Sequence, residues 1–132
     1  MTGSVTGEAR IWLRIEGAAA LVAGGWIYLA HGGPWLLLVP LLLAVDISMA
    51  GYLRGPALGA TIYNLAHNWA LGLAVLALGV ATGSAIALAA GGVLVSHVGM
   101  DRAAGYGLKY PTAFADTHLG RIGRIGRSEP SR

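Results

Sequence analysis

The chain has 132 residues, of which 55% are hydrophobic and only 11% are charged, and its formal net charge is +3. Soluble domains carry roughly 25% charged residues, and a soluble globule of this length could not bury so much apolar surface. The composition therefore favours helices packed in a membrane. Because the sequence contains no cysteine, disulfides, thiolate metal sites and cysteine nucleophiles are excluded.

Four apolar segments follow one another along the chain, at about residues 11–30, 34–53, 56–80 and 84–100. Each is close to the ~20 residues that a helix needs to cross a bilayer. The breaks HGGP, RGP and ATGS separate them. The sequence predicts an all-α, four-helix transmembrane bundle as one domain over residues 1–123, with an interfacial segment at 101–123. Residues 124–132 are expected to form a flexible basic tail.

The basic residues are distributed asymmetrically about these four segments. The nine Lys and Arg residues all fall near the two termini or the second loop: Arg10, Arg14, Arg54, Arg102, Lys109, Arg121, Arg124, Arg127 and Arg132. The two other loops contain none. Since loops rich in Lys and Arg stay in the cytoplasm, we expect both termini to be cytoplasmic.

Polar side chains lie inside all four apolar segments, in the half nearer the basic residues. Glu16 follows Arg10 by six positions, which places it about 9 Å inside the boundary. Asp46 precedes Arg54 by eight positions, which places it about 12 Å inside the bilayer boundary. Asn64 and His67 follow Pro56 at a similar depth, about 12–17 Å. The next polar pair, His97 and Asp101, is spaced i,i+4 and so shares one helix face. We therefore expect these groups to converge in the cytoplasmic half of the bilayer.

Two carboxylates and two imidazoles are a plausible ligand set for one divalent metal. The predicted ligands are Asp46, His67, His97 and Asp101, and nitrogen and oxygen donors without sulfur suit Zn²⁺, Mn²⁺ or Fe²⁺. Glu16 or Asn64 is a candidate for a supporting residue or a general base. The alternative is that buried Asp–His pairs only bond the helices together, at about 1 kcal/mol each.

Other residues and motifs give weaker indications. Trp12, Tyr63 and Trp69 are expected to be packing or interfacial aromatics, and His31 a solvated turn residue. No phosphate-binding GxxxxGK[ST] motif and no GxSxG nucleophile motif occurs. The basic tail has no interleaved aromatics and no nucleic-acid-binding module, so no nucleic-acid partner is expected.

Five blocks of the sequence resemble a family of small bacterial four-helix membrane proteins defined as a domain of unknown function. These blocks are RIEGAAAL, VDISMAGYLRGP, YNLAHNWAL, HVGMDRAAGYGLKYP and FADTHLGRIG, which together extend from about residue 14 to residue 123. The resemblance implies a four-helix membrane fold, and a multi-pass protein of the bacterial inner membrane. It implies no particular activity.

A looser similarity is to inner-membrane metal-dependent hydrolases of the YdjM type. Those proteins carry, in order, a Pro-Asp block, a histidine-rich helix and a helix ending in HxxxD. Here Val45-Asp46, then Tyr63 to His67, then His97 to Asp101 follow the same order, although valine replaces the proline and only one histidine remains in the second block. The similarity implies a metal-dependent hydrolase.

The leading hypothesis is therefore a metal-dependent, hydrolase-like membrane enzyme. Arg102, Lys109, Tyr106 and Tyr110 are expected to frame the entrance to its site and to bind an anionic lipid or phosphate group. The rival hypothesis is a non-enzymatic bundle, which is a structural or partner-binding subunit or a small ion or proton pathway. The expected partners are membrane lipids, and a homo-oligomer or a small partner subunit is compatible with either hypothesis.

Overall fold

The computed structural model of the chain describes residues 3–123, so the tail predicted at 124–132 lies outside the described residues. Four helical rods make up the bundle. Rod 1 is α1 (Gly7–Ala30), rod 2 joins α2 (Trp35–Ala44) to a 3₁₀ helix (Val45–Arg54), rod 3 joins α3 (Pro56–Ala66) to α4 (Trp69–Thr82), and rod 4 is α5 (Ala85–Ala104). Rods 1, 2 and 3 are long and apolar enough to cross a membrane. The predicted all-α, four-helix transmembrane bundle is confirmed.

Rods 2 and 3 are not the continuous α-helices that the sequence predicted. Rod 2 tightens into its 3₁₀ helix at Val45, where Asp46, Ser48 and Gly51 have low α-helical propensity. Rod 3 breaks between α3 and α4, at His67 and Asn68. At the other two rods the differences are smaller: α1 begins at Gly7 rather than near residue 11, and α5 continues to Ala104.

Asn68 satisfies the backbone on both sides of the break in rod 3. Its Oδ1 accepts a hydrogen bond from the Leu71 N–H at 3.0 Å, which caps the start of α4. Its Nδ2 donates to the carbonyl oxygens of Asn64 and Leu65, both at 2.8 Å, which closes the end of α3. A break at membrane depth is tolerated when its polar groups are satisfied inside the protein.

Rods 1 and 4 pack closely through glycines spaced seven residues apart. Gly17 and Gly24 on α1 face Gly99 and Gly92 on α5, in antiparallel order. A Cβ added at Gly17 would lie 2.8 Å from the Gly99 carbonyl oxygen, and one added at Gly92 would lie 2.7 Å from that of Gly24. Because only small residues permit this approach, α5 is held at the centre of the bundle, where it also packs against α2 and α4.

The outer faces of the rods are apolar and exposed. Four large apolar side chains are each more than 70% exposed: Trp26 (72%), Trp35 (74%), Leu53 (89%) and Ile86 (84%). A soluble protein rarely displays so large an apolar surface. The protein is a membrane protein, and these faces contact lipid.

Residues 105–123, here called the cap, fold back over one end of the bundle. Strands β1 (Asp116–Thr117) and β2 (Gly120–Arg121) form a small antiparallel hairpin, and Lys109 bridges to Thr117. Leu119 is fully buried beneath it. The Val5 N–H donates to the His118 carbonyl oxygen at 2.8 Å, so the N-terminal segment and the cap lie at the same end. The sequence predicted an interfacial segment here but no hairpin.

Candidate metal centre

Three elements deliver polar side chains to one point beneath the cap. The 3₁₀ helix of rod 2 carries Asp46, the last turn of α3 leads to His67, and α5 carries His97 and Asp101 on successive turns. Both histidines are fully buried and Asp101 is 7% exposed. Asp46 is the most accessible of the four, with a side chain 30% exposed. The structure therefore brings the four residues proposed as metal ligands together.

The donor atoms of the cluster point at one another. Nε2 of His67 and Nε2 of His97 lie 2.8 Å apart. Asp46 Oδ1 lies 3.3 Å from the first of these atoms and 3.5 Å from the second. Asp101 Oδ2 lies 3.8 Å from each. The ligand atoms of Asp46, His67 and His97 all fall within 4.8 Å of one another.

The backbone fixes which nitrogen of His67 carries the proton. Nδ1 of His67 lies 2.9 Å from the carbonyl oxygen of Tyr63, and a carbonyl oxygen can only accept a hydrogen bond. Nδ1 must therefore carry the hydrogen, and the Nε2 lone pair faces the cluster. A carbonyl that orients a histidine through its other ring nitrogen is the usual support of a metal-binding imidazole.

His97 has a different environment. Its Nδ1 is buried and has no hydrogen-bond partner among residues 3–123. Its Nε2 faces that of His67, and the two rings meet edge to face with centroids 4.7 Å apart. Without a cation, His97 Nε2–H would donate to the lone pair of His67. With a cation, both lone pairs would point toward it.

Tyr63 supports the cluster from two sides. Its hydroxyl donates to Asp101 Oδ2 at 2.6 Å, and its ring stacks on that of His67 with centroids 3.7 Å apart. The sequence assigned Tyr63 only a packing or interfacial role. Its position one helical turn before His67 was the available signal, because residues at i and i+4 lie on the same helix face.

The distances suit a small divalent cation. Donors at 2.0–2.1 Å from a tetrahedral metal lie about 3.3 Å apart, and the two contacts of Asp46 are 3.3 and 3.5 Å. The histidine nitrogens, at 2.8 Å, need to separate by about 0.5 Å to reach that spacing. Two nitrogens and a carboxylate oxygen leave a coordination position for water or substrate, as in catalytic zinc sites.

Arg102 lies inside the protein and not at an entrance. It is 5% exposed, and its guanidinium donates to the carbonyl oxygens of His67 at 2.9 Å and Tyr106 at 2.8 Å. The break in rod 3 frees the first of these carbonyls from helical bonding. Arg102 thus joins α5 to the break and to the cap, and its hydrogen bonds are made to backbone rather than directed at a substrate.

Asn64 holds the cap in place over the cluster. Its Nδ2 donates to the Lys109 carbonyl oxygen at 2.9 Å, and its Oδ1 accepts from the Lys109 N–H at 2.7 Å. This pair of bonds imitates a strand pairing. The sequence suggested Asn64 as a catalytic candidate. In the structure its side-chain hydrogen bonds instead hold the cap to α3.

Lys109 lies in the part of the cap that Asn64 holds, and its side chain points inward. It is 4% exposed, and its Nζ donates to the Phe114 carbonyl oxygen at 2.9 Å and lies 3.8 Å from the centre of the Phe114 ring. Burial lowers the pKa of Lys109 to about 8, although the charges of Asp101 and Asp46 act in the opposite direction. An ammonium with two N–H groups that have no acceptor within residues 3–123 therefore lies near the carboxylates.

The remaining candidates lie further out. Tyr106 is 44% exposed at the rim of the cap, and the Tyr110 hydroxyl donates to the carbonyl oxygen of Gly3, so it fastens the N-terminal segment. Glu16 lies on the exposed face of α1 and is not brought to the cluster. Its neighbour Gly17 faces α5 instead, because adjacent helical positions point about 100° apart. His31 is exposed at the opposite end.

His118, which is not among the site residues predicted from the sequence, organises the cap. Nδ1 of His118 accepts a hydrogen bond from the Leu108 N–H at 2.8 Å, and the His118 N–H donates to the Leu108 carbonyl oxygen at 3.1 Å. The pKa of His118 is lowered, chiefly because the ring is buried and also because the positive charge of Arg102 is near. No spacing rule in the sequence pointed to this role.

A cavity of ≈ 310 Å³ lies between the cluster and the cap. Its walls include the two carboxylates of the cluster, aromatic and apolar side chains, and one lysine: Asp46, Met49, Tyr63, Met100, Asp101, Tyr106, Lys109, Phe114 and Ile122. A bound ion would have an adjoining chamber for a small group.

A family model covers most of the chain. It matches residues 10–122 and is described as a domain of unknown function (DUF4260). The chain belongs to this family, which confirms the resemblance to an uncharacterised membrane family. No match was found among curated proteins or solved structures. The looser similarity to YdjM-type hydrolases stays a hypothesis.

Proposed function

We propose that this member of the DUF4260 family is a membrane-embedded, metal-dependent hydrolase with one divalent cation beneath the cap. The observation that carries the proposal is the convergence of Asp46 Oδ1 with the Nε2 atoms of His67 and His97, at 3.3 and 3.5 Å. The carbonyl-bound Nδ1 of His67 adds support, because it directs the Nε2 lone pair inward.

The ligand set narrows the choice of metal. Two imidazoles and a carboxylate suit Zn²⁺, Mn²⁺ or Fe²⁺, whereas Ca²⁺ and Mg²⁺ prefer oxygen donors alone. Asp101 lies farther from both imidazole nitrogens than Asp46 does, and Tyr63 holds its Oδ2. We assign Asp46, His67 and His97 as ligands. Asp101 was the fourth ligand expected from the sequence. We assign it a different role, which is to accept a proton from the metal-bound water.

A divalent cation held by Asp46, His67 and His97 would make a bound water acidic enough to act near neutral pH. Asp101 would accept one proton of that water as the water oxygen attacks an ester centre. The new bond forms between the water oxygen and the carbon or phosphorus of the ester, and the bond to the leaving oxygen breaks. The leaving oxygen then receives the proton from Asp101. Water is added across the ester bond, and no oxidant or reductant is required.

We further place the protein in the bacterial inner membrane with both termini in the cytoplasm. The support is the distribution of Lys and Arg along the sequence: they fall toward the two termini and at Arg54, while the loops at His31 and Gly83 contain none. The candidate centre would then face the cytoplasmic leaflet.

The activity is tested on protein purified in detergent, stripped with a chelator and reloaded with Zn²⁺, Mn²⁺ or Fe²⁺. A panel of chromogenic carboxylic and phosphate esters supplies the substrates. We expect metal-dependent hydrolysis that Asp101→Asn lowers by about 100-fold or more while metal content is retained. His31→Ala, an exposed histidine at the opposite end, is the matched control. Bound metal with no hydrolysis of any ester would contradict the hydrolase proposal.

The second candidate is a non-enzymatic bundle, as a structural or partner-binding subunit or a proton pathway. One observation favours it: the imidazole nitrogens lie at direct hydrogen-bond distance, 2.8 Å, with carboxylates beside them. Two carboxylates, Asp46 and Asp101, also balance two buried cations, Lys109 and Arg102, without a metal. Absence of stoichiometric metal from the purified protein would favour this candidate.

A further inference from the structure

The cavity beneath the cap has carboxylates on one wall and a lysine on another. Asp46 and Asp101 line it on the side of the histidines, and Lys109 lines it on the side of the cap. Within residues 3–123 the Nζ of Lys109 has one hydrogen-bond acceptor, the Phe114 carbonyl oxygen, and an ammonium has three N–H groups. Two donors are therefore left for a group lying between the lysine and the centre.

The charge of the loaded site selects the kind of group that can enter. With neutral histidines, the carboxylates of Asp46 and Asp101 offset the positive charges of Lys109 and Arg102. A bound divalent cation then leaves an excess charge of about +2 in a poorly solvated space, which favours binding of an anion. A phosphate monoester, which carries about −1.5 to −2 near neutral pH, matches this excess better than a carboxylate does.

The rest of the cavity wall is apolar. Met49, Met100, Phe114 and Ile122 line it together with the aromatic rings. Phe114 and Tyr106 are each 44% exposed, so the cavity reaches the surface of the bundle where the cap meets it. A ligand with an anionic head and an apolar remainder fits this lining, because its head meets the charges while its remainder leaves toward the lipid.

We propose that the cavity binds the phosphate group of an amphiphilic phosphate ester, with its oxygens between the metal and the Lys109 ammonium. This inference rests on the proposed metal centre and names the substrate class for it. Lys109 is then a binding residue that contacts substrate, and Asn64 is the positioning residue that fixes it through the backbone bonds of 2.7 and 2.9 Å.

The test uses the full chain in nonionic detergent, loaded with Mn²⁺, whose paramagnetism broadens nearby phosphorus signals. The probes for ³¹P NMR are dihexanoyl phosphatidic acid, dihexanoyl phosphatidylcholine and inorganic phosphate. We expect strong broadening of phosphatidic acid and weak broadening of the choline lipid. Lys109→Met should weaken binding of phosphatidic acid at least tenfold, and Lys109→Arg should restore part of it. Arg54→Gln, which removes an exposed cation outside the cavity, is the control.

The outcomes distinguish a failure of this inference from a failure of the proposed metal centre. Metal content is measured for every variant, and only protein with one Mn²⁺ per chain is compared. Broadening of phosphatidic acid, with or without broadening of inorganic phosphate, supports the inference. Broadening of inorganic phosphate alone, or of no probe, overturns it and leaves the metal centre standing. Failure of the wild-type protein to hold Mn²⁺, Zn²⁺ or Fe²⁺ overturns the metal centre itself.

Discussion

The hydroxyl of Tyr63 donates a hydrogen bond of 2.6 Å to Oδ2 of Asp101, across 38 residues of sequence. The same carboxylate oxygen lies 3.8 Å from both imidazole Nε2 atoms. This contact joins rod 3 to rod 4 and holds Asp101 toward the cluster. Tyr63 therefore belongs to the support of the candidate centre, and its loss should affect the centre more than the fold.

Tyr63→Phe tests this role, because it removes the hydroxyl and keeps the ring that stacks on His67. A hydrogen bond to a charged group contributes about 1.5–3 kcal/mol, and loss of such a supporting contact typically costs about 10–100-fold in metal affinity or activity. We expect a decrease of that size in the rate of metal-dependent ester hydrolysis, with metal content retained as in Asp101→Asn. Tyr52→Phe is the control, since the Tyr52 hydroxyl is buried and has no partner within residues 3–123. Equal hydrolysis rates in the two variants would contradict the assignment.

Part of this site could be predicted from the sequence, because it depends only on the geometry of single helices. His97 and Asp101 share a face because of their i,i+4 spacing, and depth counted from helix ends placed Asp46 and His67 at the same level. The inward orientation of the Arg102 side chain could not be predicted in this way. Its guanidinium bonds to the His67 carbonyl oxygen, which is free because the helix breaks after α3. That break depends on how Asn68 bonds to both helices, which a hydrophobic pattern does not record.

Glu16 shows where helix depth alone is insufficient. Its distance from the end of rod 1 suited the cluster, but the side of α1 that meets α5 is set by Gly17 and Gly24. Their seven-residue spacing, matched by Gly92 and Gly99, was the sequence signal for that face.

The fold class could be predicted from composition and length. The cap hairpin could not, because its strands are only two residues long.

The packing of rods 1 and 4 predicts opposite effects for two adjacent glycines. A Cβ at Gly24 would lie 2.5 Å from the Gly92 carbonyl oxygen, whereas a Cβ at Gly25 would meet the Ser96 hydroxyl oxygen at 3.7 Å, an ordinary contact. Gly24→Ala should lower the free energy of unfolding by about 1–3 kcal/mol. Gly25→Ala should be neutral or raise it by up to about 1 kcal/mol. Thermal unfolding in detergent measures both, and equal melting temperatures would show that α1 and α5 do not cross there.

The cap should loosen in acid because of His118. Its pKa is lowered in the folded protein, mainly by burial and further by Arg102, so the unfolded chain binds the proton more readily. The contribution of His118 to stability is therefore complete above its ordinary pKa of about 6.5 and is lost as the pH falls below that value. Protonation of Nδ1 would also remove the acceptor for the Leu108 N–H.

Hydrogen exchange of residues 105–123, corrected for intrinsic rates, should show faster opening at pH 5.5 than at pH 7.5. In His118→Asn the side-chain oxygen can replace Nδ1 as acceptor without titrating, so most of this difference should disappear. An unchanged pH dependence in the variant would contradict the assignment of the effect to His118.

The orientation in the membrane can be read with single cysteines, because the natural chain has none. His31→Cys lies at an exposed turn at one end, and Gly3→Cys lies at the other end in open space. Since loops without Lys and Arg are translocated, an impermeant maleimide added to spheroplasts should label the first variant and not the second. Labelling of Gly3→Cys alone would reverse the topology.

The central claim, that Asp46, His67 and His97 bind one divalent cation, is tested most directly by metal analysis of the purified protein. Inductively coupled plasma mass spectrometry should find close to one Zn, Mn or Fe per chain in the wild type and in His31→Ala. His67→Ala and His97→Ala should lose it while still unfolding cooperatively. Metal well below one per chain in the wild type after reloading, or full metal in both cluster variants, would contradict the account.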